Sequence, residues 1–151
     1  MAFTGSTICY PFHLDLGLAR INTASDVFKV ALYDGTAALN EATASYTTTG
    51  ELPTAGGYTA GGATVTITVS TAATSSGTSV IWTFTNAVWA AATFTARGAL
   101  LYDSTPAAKT AIAVMDFGAN ISVTAGTFTV TMPAATANTA IIVFPRSVLT
   151  S

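Results

Sequence analysis

The residues best suited to covalent chemistry are the only cysteine and the only histidine of the 151-residue chain, Cys9 and His13. A thiol and an imidazole can act as a nucleophile and its base, provided that the base is oriented and the thiol lies in an electropositive setting. Nothing in the flanking residues MAFTGSTICYPFHLDLGLAR marks either condition. We therefore expect a structural thiol and a structural histidine. A single cysteine also excludes an intrachain disulfide and a zinc cluster of cysteines.

Carboxylates offer a second kind of chemistry, because two acidic side chains suffice for glycoside hydrolysis. Folding could bring Asp103 and Asp116 together. However, Asp103 precedes Ser-Thr-Pro, where aspartate usually stabilises a turn, and Asp116 lies at the end of a predicted strand. An ion pair with one of these two is the simplest role for Arg97, which lies on a predicted strand. The acidic residues are dispersed and form no calcium-binding loop, so the sequence predicts no catalytic residue, no cofactor-binding residue and no metal ligand.

Two further features could bind a ligand without catalysis. Tyr46–Ala63 is rich in glycine, but its pairs Gly56-Gly57 and Gly61-Gly62 are followed neither by Lys-Ser/Thr nor by an evident helix. We expect a shaped surface loop here and no phosphate site. Trp82 and Trp89 could stack on a sugar, but each lies inside an apolar run. We expect both to pack in the core or in an interface.

The chain is unusually poor in charge. It is 50% hydrophobic and only 8% charged, whereas a soluble domain usually carries about 25% charged residues. Its exterior must therefore consist largely of Thr, Ser, Asn, Ala and Gly, and such neutral surface is more easily desolvated than charge. The composition favours a protein that packs against copies of itself or against a partner, as a homo-oligomer or bound to a lattice.

Charge and hydropathy argue against two classes of partner. The net charge is −2 and the five lysines and arginines are scattered singly, which predicts no direct binding to nucleic acid. No window approaches the roughly 18–20 uninterrupted apolar residues of a membrane span. The N-terminus also lacks the basic and apolar regions of a signal peptide. We therefore expect neither a membrane partner nor secretion by a signal peptide.

The elements that must position these residues are predicted to be short β-strands, because apolar and polar residues alternate along most of the chain. The densest stretch is Thr93–Thr131, in which turn residues at Asp103–Pro106 separate two strands and Gly118–Asn120 form either a second turn or a bulge. Thr36–Ser45 is the best helical candidate, because Ala, Leu and Glu favour helix. The predicted strands are Asp26–Tyr33, Thr64–Thr71, Ser79–Thr85, Thr93–Tyr102, Thr110–Phe117, a run through Phe128, Val130 and Met132, and Thr139–Phe144.

These strands predict an all-β fold, namely a single antiparallel β-sandwich or small barrel of about eight strands. The β-sandwich domain is expected to span residues 25–151. An irregular N-terminal arm over residues 1–24, with an extended segment, an edge strand or a short helical turn, precedes it. In Thr64–Thr71, the cleanest alternation, we expect the aliphatic side chains, including Val69, to point inward.

Four short motifs carry a family likeness, in an order that chance would rarely produce. They are Lys29–Tyr33 (KVALY), the Gly50–Gly62 loop, Phe94–Ala99 (FTARGA) and Asp116–Gly118 (DFG). Together with the segments around them, they resemble a group of virion structural proteins of tailed bacteriophages. The resemblance runs from Asp26 to Pro133.

The resemblance implies a non-enzymatic component of the phage particle. The first expectation is a capsid decoration or cement protein that binds outside the major capsid lattice and reinforces it, with the arm 1–24 and the Tyr46–Ala63 loop as contact elements. Its partners would be the major capsid protein and copies of itself, and its location the virion, assembled in the host cytoplasm. A tail or head–tail connector component is the alternative within the same particle. A receptor- or carbohydrate-binding module that uses Trp82 or Trp89 is the alternative outside this class.

Overall fold

The computed structural model of the chain describes residues 3–74, 77–136 and 140–144. Within these residues the chain forms eight β-strands and one short α-helix, which confirms the predicted all-β class. No helix in this part of the chain is long and apolar enough to cross a membrane. In chain order the elements are β1 (Thr7–Ile8), α1 (Tyr10–Gly17), β2 (Phe28–Tyr33), β3 (Ala63–Val65), β4 (Ile67–Thr74), β5 (Gly77–Phe84), β6 (Ala87–Asp103), β7 (Ala111–Val130) and β8 (Ile142–Phe144).

The strands form two antiparallel sheets, as expected for a sandwich. The first sheet has the strand order β1-β7-β6-β2-β3 and the second has the order β4-β5-β8. Aromatic side chains join the two sheets: the rings of Phe28 on β2 and Phe84 on β5 lie 5.5 Å apart, edge to face, and both are buried. Such pairs add to the free energy gained by burying apolar area. The two sheets therefore share one core.

One long hairpin, formed by β6 and β7, lies at the centre of the first sheet. The two strands have 17 and 20 residues, where the sequence indicated three shorter strands. The interruption predicted at Gly118–Asn120 is a bulge, because the pairing passes from Gly98↔Asp116 to Ala96↔Ile121 and leaves extra residues on β7. Its glycine adopts a positive φ of 78°, which glycine does at little cost. At the bulge β7 is locally irregular, and it remains paired with β6 on both sides.

The helix predicted at Thr36–Ser45 is wrong, and the helix of the structure lies earlier, in the N-terminal segment. In the 36–45 stretch side chains accept hydrogen bonds from nearby backbone N–H groups. Asp34 Oδ1 accepts the Thr36 N–H at 2.7 Å, and Asn40 Oδ1 accepts the Ala42 N–H at 2.8 Å. These bonds compete with helical ones. Pro11 in the first turn of α1 favours the start of a helix there.

The alternating run Thr64–Thr71 is divided between the two sheets. β3 ends at Val65 in the first sheet and β4 begins two residues later in the second, so Thr66 forms the corner. Val65 is buried, as expected. Val69 is 47% exposed, so the expectation that it points into the core is wrong. Val80 on the neighbouring strand is 41% exposed too.

The N-terminal segment packs against the sheets. β1 pairs with β7 at the edge of the first sheet, and the Cys9 N–H donates to Ile112 O at 2.9 Å. Phe12 on α1 is fully buried, with its ring 5.9 Å from that of Trp82 in the second sheet. The described part of the predicted arm therefore has an edge strand and a helix of its own, and it contributes Phe3, Cys9 and Phe12 to the core.

Candidate functional site

Arg97 and Asp116, two of the residues considered for chemistry, form an ion pair. They lie on β6 and β7 beside the bulge, and neither side chain is more than 18% exposed. The ring centroid of Phe3 lies 5.7 Å from the guanidinium carbon, and the Gly118 N–H donates to Asp116 Oδ1 at 2.8 Å. This arrangement confirms the predicted structural ion pair and fixes the bend of β7.

Asp103 lies far from Asp116 and close to Asp26. Asp103 lies five positions along β6 from Gly98, the strand partner of Asp116. This is about 17 Å along an extended strand, which is too far for the carboxylate pair of a glycosidase. Asp103 is fully buried, and its Oδ1 accepts the Thr105 N–H at 2.9 Å, as predicted for a turn. Its Oδ2 has no hydrogen-bond donor among the described residues. Burial, with the neighbouring Asp26 carboxyl, raises the pKa of Asp103 to about 6.

Cys9 and His13 lie in different environments and do not act on each other. The thiol is fully buried and donates to Asn40 O at 3.9 Å, whereas His13 is exposed, with its ring 5.6 Å from that of Phe12. Burial raises the pKa of Cys9 to about 11, so the sulfur stays protonated at neutral pH, unlike an activated thiolate. The thiol is structural, as predicted.

Among the residues that the structure describes, no three His, Cys, Asp or Glu side chains lie together as metal ligands would.

Trp82 and Trp89 are each only 6% exposed. The ring centroid of Trp82 lies 5.9 Å from that of Phe12, and that of Trp89 lies 6.0 Å from that of Tyr58. Neither indole presents a free face on which a sugar could stack. Of the two predicted places, core or interface, both tryptophans lie in the core. The carbohydrate-binding hypothesis loses the two residues on which it depended.

The structure places a polar cluster in the Tyr46–Ala63 loop, where the sequence indicated only a shaped surface loop. The cluster centres on Glu51. Its Oε1 accepts the Tyr58 hydroxyl at 2.7 Å and the Gly61 N–H at 2.6 Å, and its Oε2 accepts the Tyr46 hydroxyl at 2.5 Å. One carboxylate therefore ties together the beginning, the middle and the end of the loop.

Tyrosine hydroxyls also anchor this loop to the first sheet. The Tyr58 hydroxyl accepts the Leu32 N–H of β2 at 3.0 Å, and the Tyr102 hydroxyl of β6 donates to Gly61 O at 2.8 Å. The rings of Tyr102 and Tyr46 are stacked with centroids 4.7 Å apart. We call this group the tyrosine clamp: Tyr46, Glu51, Tyr58 and Tyr102.

The tyrosine clamp is suited to holding the loop in place and not to proton transfer. Burial raises the pKa of Tyr102 to about 12, and it raises the pKa of Tyr46 and of Tyr58 further, with the Glu51 carboxylate adding to the effect in each case. All three hydroxyls are therefore neutral donors at physiological pH. Each donates its proton to a group of the loop itself, so none is free to abstract a proton from a substrate.

Removal of the Tyr58 hydroxyl tests the clamp. The hydroxyl is the acceptor of the Leu32 N–H and a donor to Glu51, and an unpaired buried donor costs about 1–3 kcal/mol. We expect Tyr58→Phe to lower the free energy of unfolding by about 2 kcal/mol, measured by urea denaturation. Tyr10→Phe, at an exposed tyrosine, is the matched control and should change it by less than about 0.5 kcal/mol. Equal stability of the two variants would contradict the clamp.

A groove of about 590 Å³ lies beside the outer half of β7. Its lining is largely apolar and includes Ile121, Val123 and Phe128. Among the described residues that line it, the one charged side chain is Asp116, which is already paired with Arg97. This described part of the lining is therefore suited to apolar contact.

Comparison of the chain with protein-family models, curated proteins and solved structures yields no match. The fold and the site define a class of protein: a charge-poor β-sandwich in which Cys9, Asp103 and the Arg97–Asp116 pair make structural contacts. The resemblance of residues 26–133 to phage virion proteins stays a prediction from the sequence.

Proposed function

We propose that the protein is a non-enzymatic structural subunit of a tailed-bacteriophage virion, and that it decorates and reinforces the capsid from outside the major capsid lattice. The proposal depends on the resemblance of residues 26–133 to virion structural proteins. It is supported by the positions that the shared motifs occupy in the fold and by the chemistry of the surface.

The observation that carries the proposal is that the shared motifs lie at tightly constrained points of the backbone. Lys29–Tyr33 extends over most of β2, and Gly62 of the loop motif lies so close to it that an added Cβ would be 1.9 Å from Val30 O. Gly98 pairs with Asp116, and an added Cβ there would be 2.4 Å from a buried phenylalanine ring. These close contacts leave the backbone little freedom at the motifs, and such a rigid fold suits a structural subunit.

The surface is suited to packing against neighbours. Only 8% of the chain is charged, and burial of neutral surface costs less than burial of charge. In a symmetric particle each small patch is repeated many times, so avidity replaces strong individual contacts. Within the described ranges, the exposed large apolar side chains are Tyr10, Leu14, Leu18, Val27, Val69, Val80, Val88 and Ile121.

The two contact elements predicted from the sequence each have an exposed part. On α1 and just beyond it, Tyr10, Leu14 and Leu18 are four residues apart, so they share one face and all three are more than half exposed. In the loop, Pro53–Gly57 is exposed while the tyrosine clamp holds the rest. We assign contact with the major capsid protein to these two surfaces.

The copy number in purified particles tests the proposal. We expect copies on the order of hundreds per particle, spread over the shell, when intact phage is analysed by quantitative mass spectrometry and electron microscopy. A single small ring of copies would assign the protein to the tail or the head–tail connector instead. Absence of the protein from the particle would overturn the proposal.

A further inference from the structure

One edge of β7 has no partner strand over most of its length in the part of the chain that the structure describes. β7 pairs with β6 along one side, whereas on the other side β1 pairs only with Ala113 and Val114. The Ser6 hydroxyl then accepts the Asp116 N–H at 3.0 Å and ends this pairing. Among the residues that the structure describes, no strand pairs with this side of the stretch from 117 to 131. We call this stretch the open edge.

The open edge lacks most of the features that keep strands from pairing with other chains. Charged residues, proline and short length commonly protect an edge. Residues 117–131, FGANISVTAGTFTVT, contain neither a charged residue nor a proline. A bulge at Ala125, with a φ of 46°, bends the strand. It leaves regular pairing on both sides, at Ile121–Val123 and at Phe128–Val130, so both segments can still accept a partner.

The groove of about 590 Å³ lies beside the same edge. Ile121, Val123 and Phe128 line it, and Ile121 is 43% exposed. A strand added to an edge points alternate side chains to one face of the sheet. One added strand could therefore form backbone hydrogen bonds with the edge and bury its apolar side chains in the groove.

We propose that the open edge is a self-association surface, to which the open edge of a second copy of this chain adds in antiparallel orientation. Antiparallel pairing of two identical edges is related by a two-fold axis, so it closes as a dimer and does not extend into a fibre. The inference does not depend on the virion proposal, because it concerns the isolated chain.

The charge of the edge favours a second copy as the partner. A charged strand placed antiparallel to itself brings like charges together, which destabilises the pair. The open edge has no charge to repel its own copy, and it offers no countercharge to a charged partner. Its two regular segments can form about six backbone hydrogen bonds, at the lower end of the 10 ± 5 found in typical interfaces. Because the interface has few hydrogen bonds, we expect the dimer to form reversibly.

Sedimentation equilibrium of the full chain tests the proposal. We expect a dimer at protein concentrations of about 100 µM that dissociates on dilution. Ile121→Lys should weaken association at least about tenfold, because it places a charge in both copies of the groove. Val88→Lys is the matched control, since Val88 is a similarly exposed branched residue on β6 outside the groove. It should leave association unchanged. Circular dichroism checks that both variants fold.

Backbone hydrogen exchange locates the interface. Protection of residues 117–131 should increase with protein concentration. A chain that stays monomeric, equal weakening by the two lysine variants, or protection confined to residues 10–18 would overturn the proposal. Protection of residues 117–131 only after capsid shells are added would also overturn it, because the edge would then belong to the capsid contact. That last result would leave the virion proposal intact.

Discussion

Asp103→Asn is expected to raise the free energy of unfolding at pH 8 by about 3 kcal/mol and to leave it nearly unchanged at pH 4. The Asp103 carboxyl is fully buried beside Asp26, and its pKa is raised from 3.8 to about 6. A rise of about two pKa units corresponds to about 3 kcal/mol between the protonated and ionised forms. Asparagine keeps an oxygen to accept the Thr105 N–H and has no charge to bury.

The same shift makes the wild-type protein less stable as the pH rises. A carboxyl whose pKa is higher in the folded state than in the unfolded state binds its proton more tightly when folded. Its stabilising contribution is therefore complete below the unfolded value of 3.8 and is lost as the pH rises through about 6. Urea denaturation between pH 4 and 8 should show this decline in the wild type and a smaller one in Asp103→Asn.

Asp26→Asn separates the two causes of the pKa shift. It removes the neighbouring carboxyl and leaves Asp103 buried, and burial is the larger cause. The decline in stability between pH 4 and 8 should therefore shrink without vanishing. Wild-type stability that is flat across this range, or an Asp103→Asn variant that gains nothing at pH 8, would contradict a proton held by Asp103 in the folded state.

Gly62→Ala is expected to destabilise the protein by about 3–4 kcal/mol, against about 1 kcal/mol for Gly118→Ala. Both glycines have a left-handed backbone, with φ of 77° and 78°, so both substitutions incur similar backbone strain. They differ in the space around them. A Cβ at Gly62 would lie 1.9 Å from Val30 O and 2.7 Å from Ala31 Cα, whereas at Gly118 no atom lies within 4 Å. Only the first substitution must push the loop away from β2.

Urea denaturation of the two alanine variants measures this difference. Because the strain is similar in both, the extra loss in Gly62→Ala reports how firmly the loop must lie against β2. Equal losses in the two variants would show that the loop can move away from the strand at little cost. That outcome would contradict a loop held rigidly by the tyrosine clamp.

The strands and the ion pair could be predicted because their signals are local. Alternation places β2 and β5 within a few residues of their observed bounds, and Arg97 and Asp116 lie on neighbouring predicted strands. The corner at Thr66 has no such signal. Thr66 is one threonine among many, and it forms hydrogen bonds with Thr85, the residue just after β5. Only the folded chain defines this contact. The alternation of Thr64–Thr71 is continuous in the sequence and therefore does not indicate that the chain passes from the first sheet to the second there.

The tyrosine clamp depends on long-range contacts, and the sequence carries only an indirect sign of it. Glu51 is the one charged residue between Glu41 and Arg97. An isolated charge in a neutral stretch indicates a specific partner, because charge is rarely buried unpaired. Which partners it finds depends on how the loop lies on β2 and β6. Alternation along a strand does not predict the partners of Glu51. It does not predict the contact of Asp26 with Asp103 either.

The pairing of the first strand with β7 also determines the order in which the fold can assemble. Thr7 lies opposite Val114, and Phe28 on β2 lies opposite Asp103 on β6. Contacts so distant in sequence close large loops, and domains dominated by them fold in about milliseconds to seconds. During synthesis the first sheet can therefore form only after β6 and β7 have been made and have paired with each other as a hairpin. Until that hairpin forms, the earlier apolar strands are uncovered and prone to aggregation.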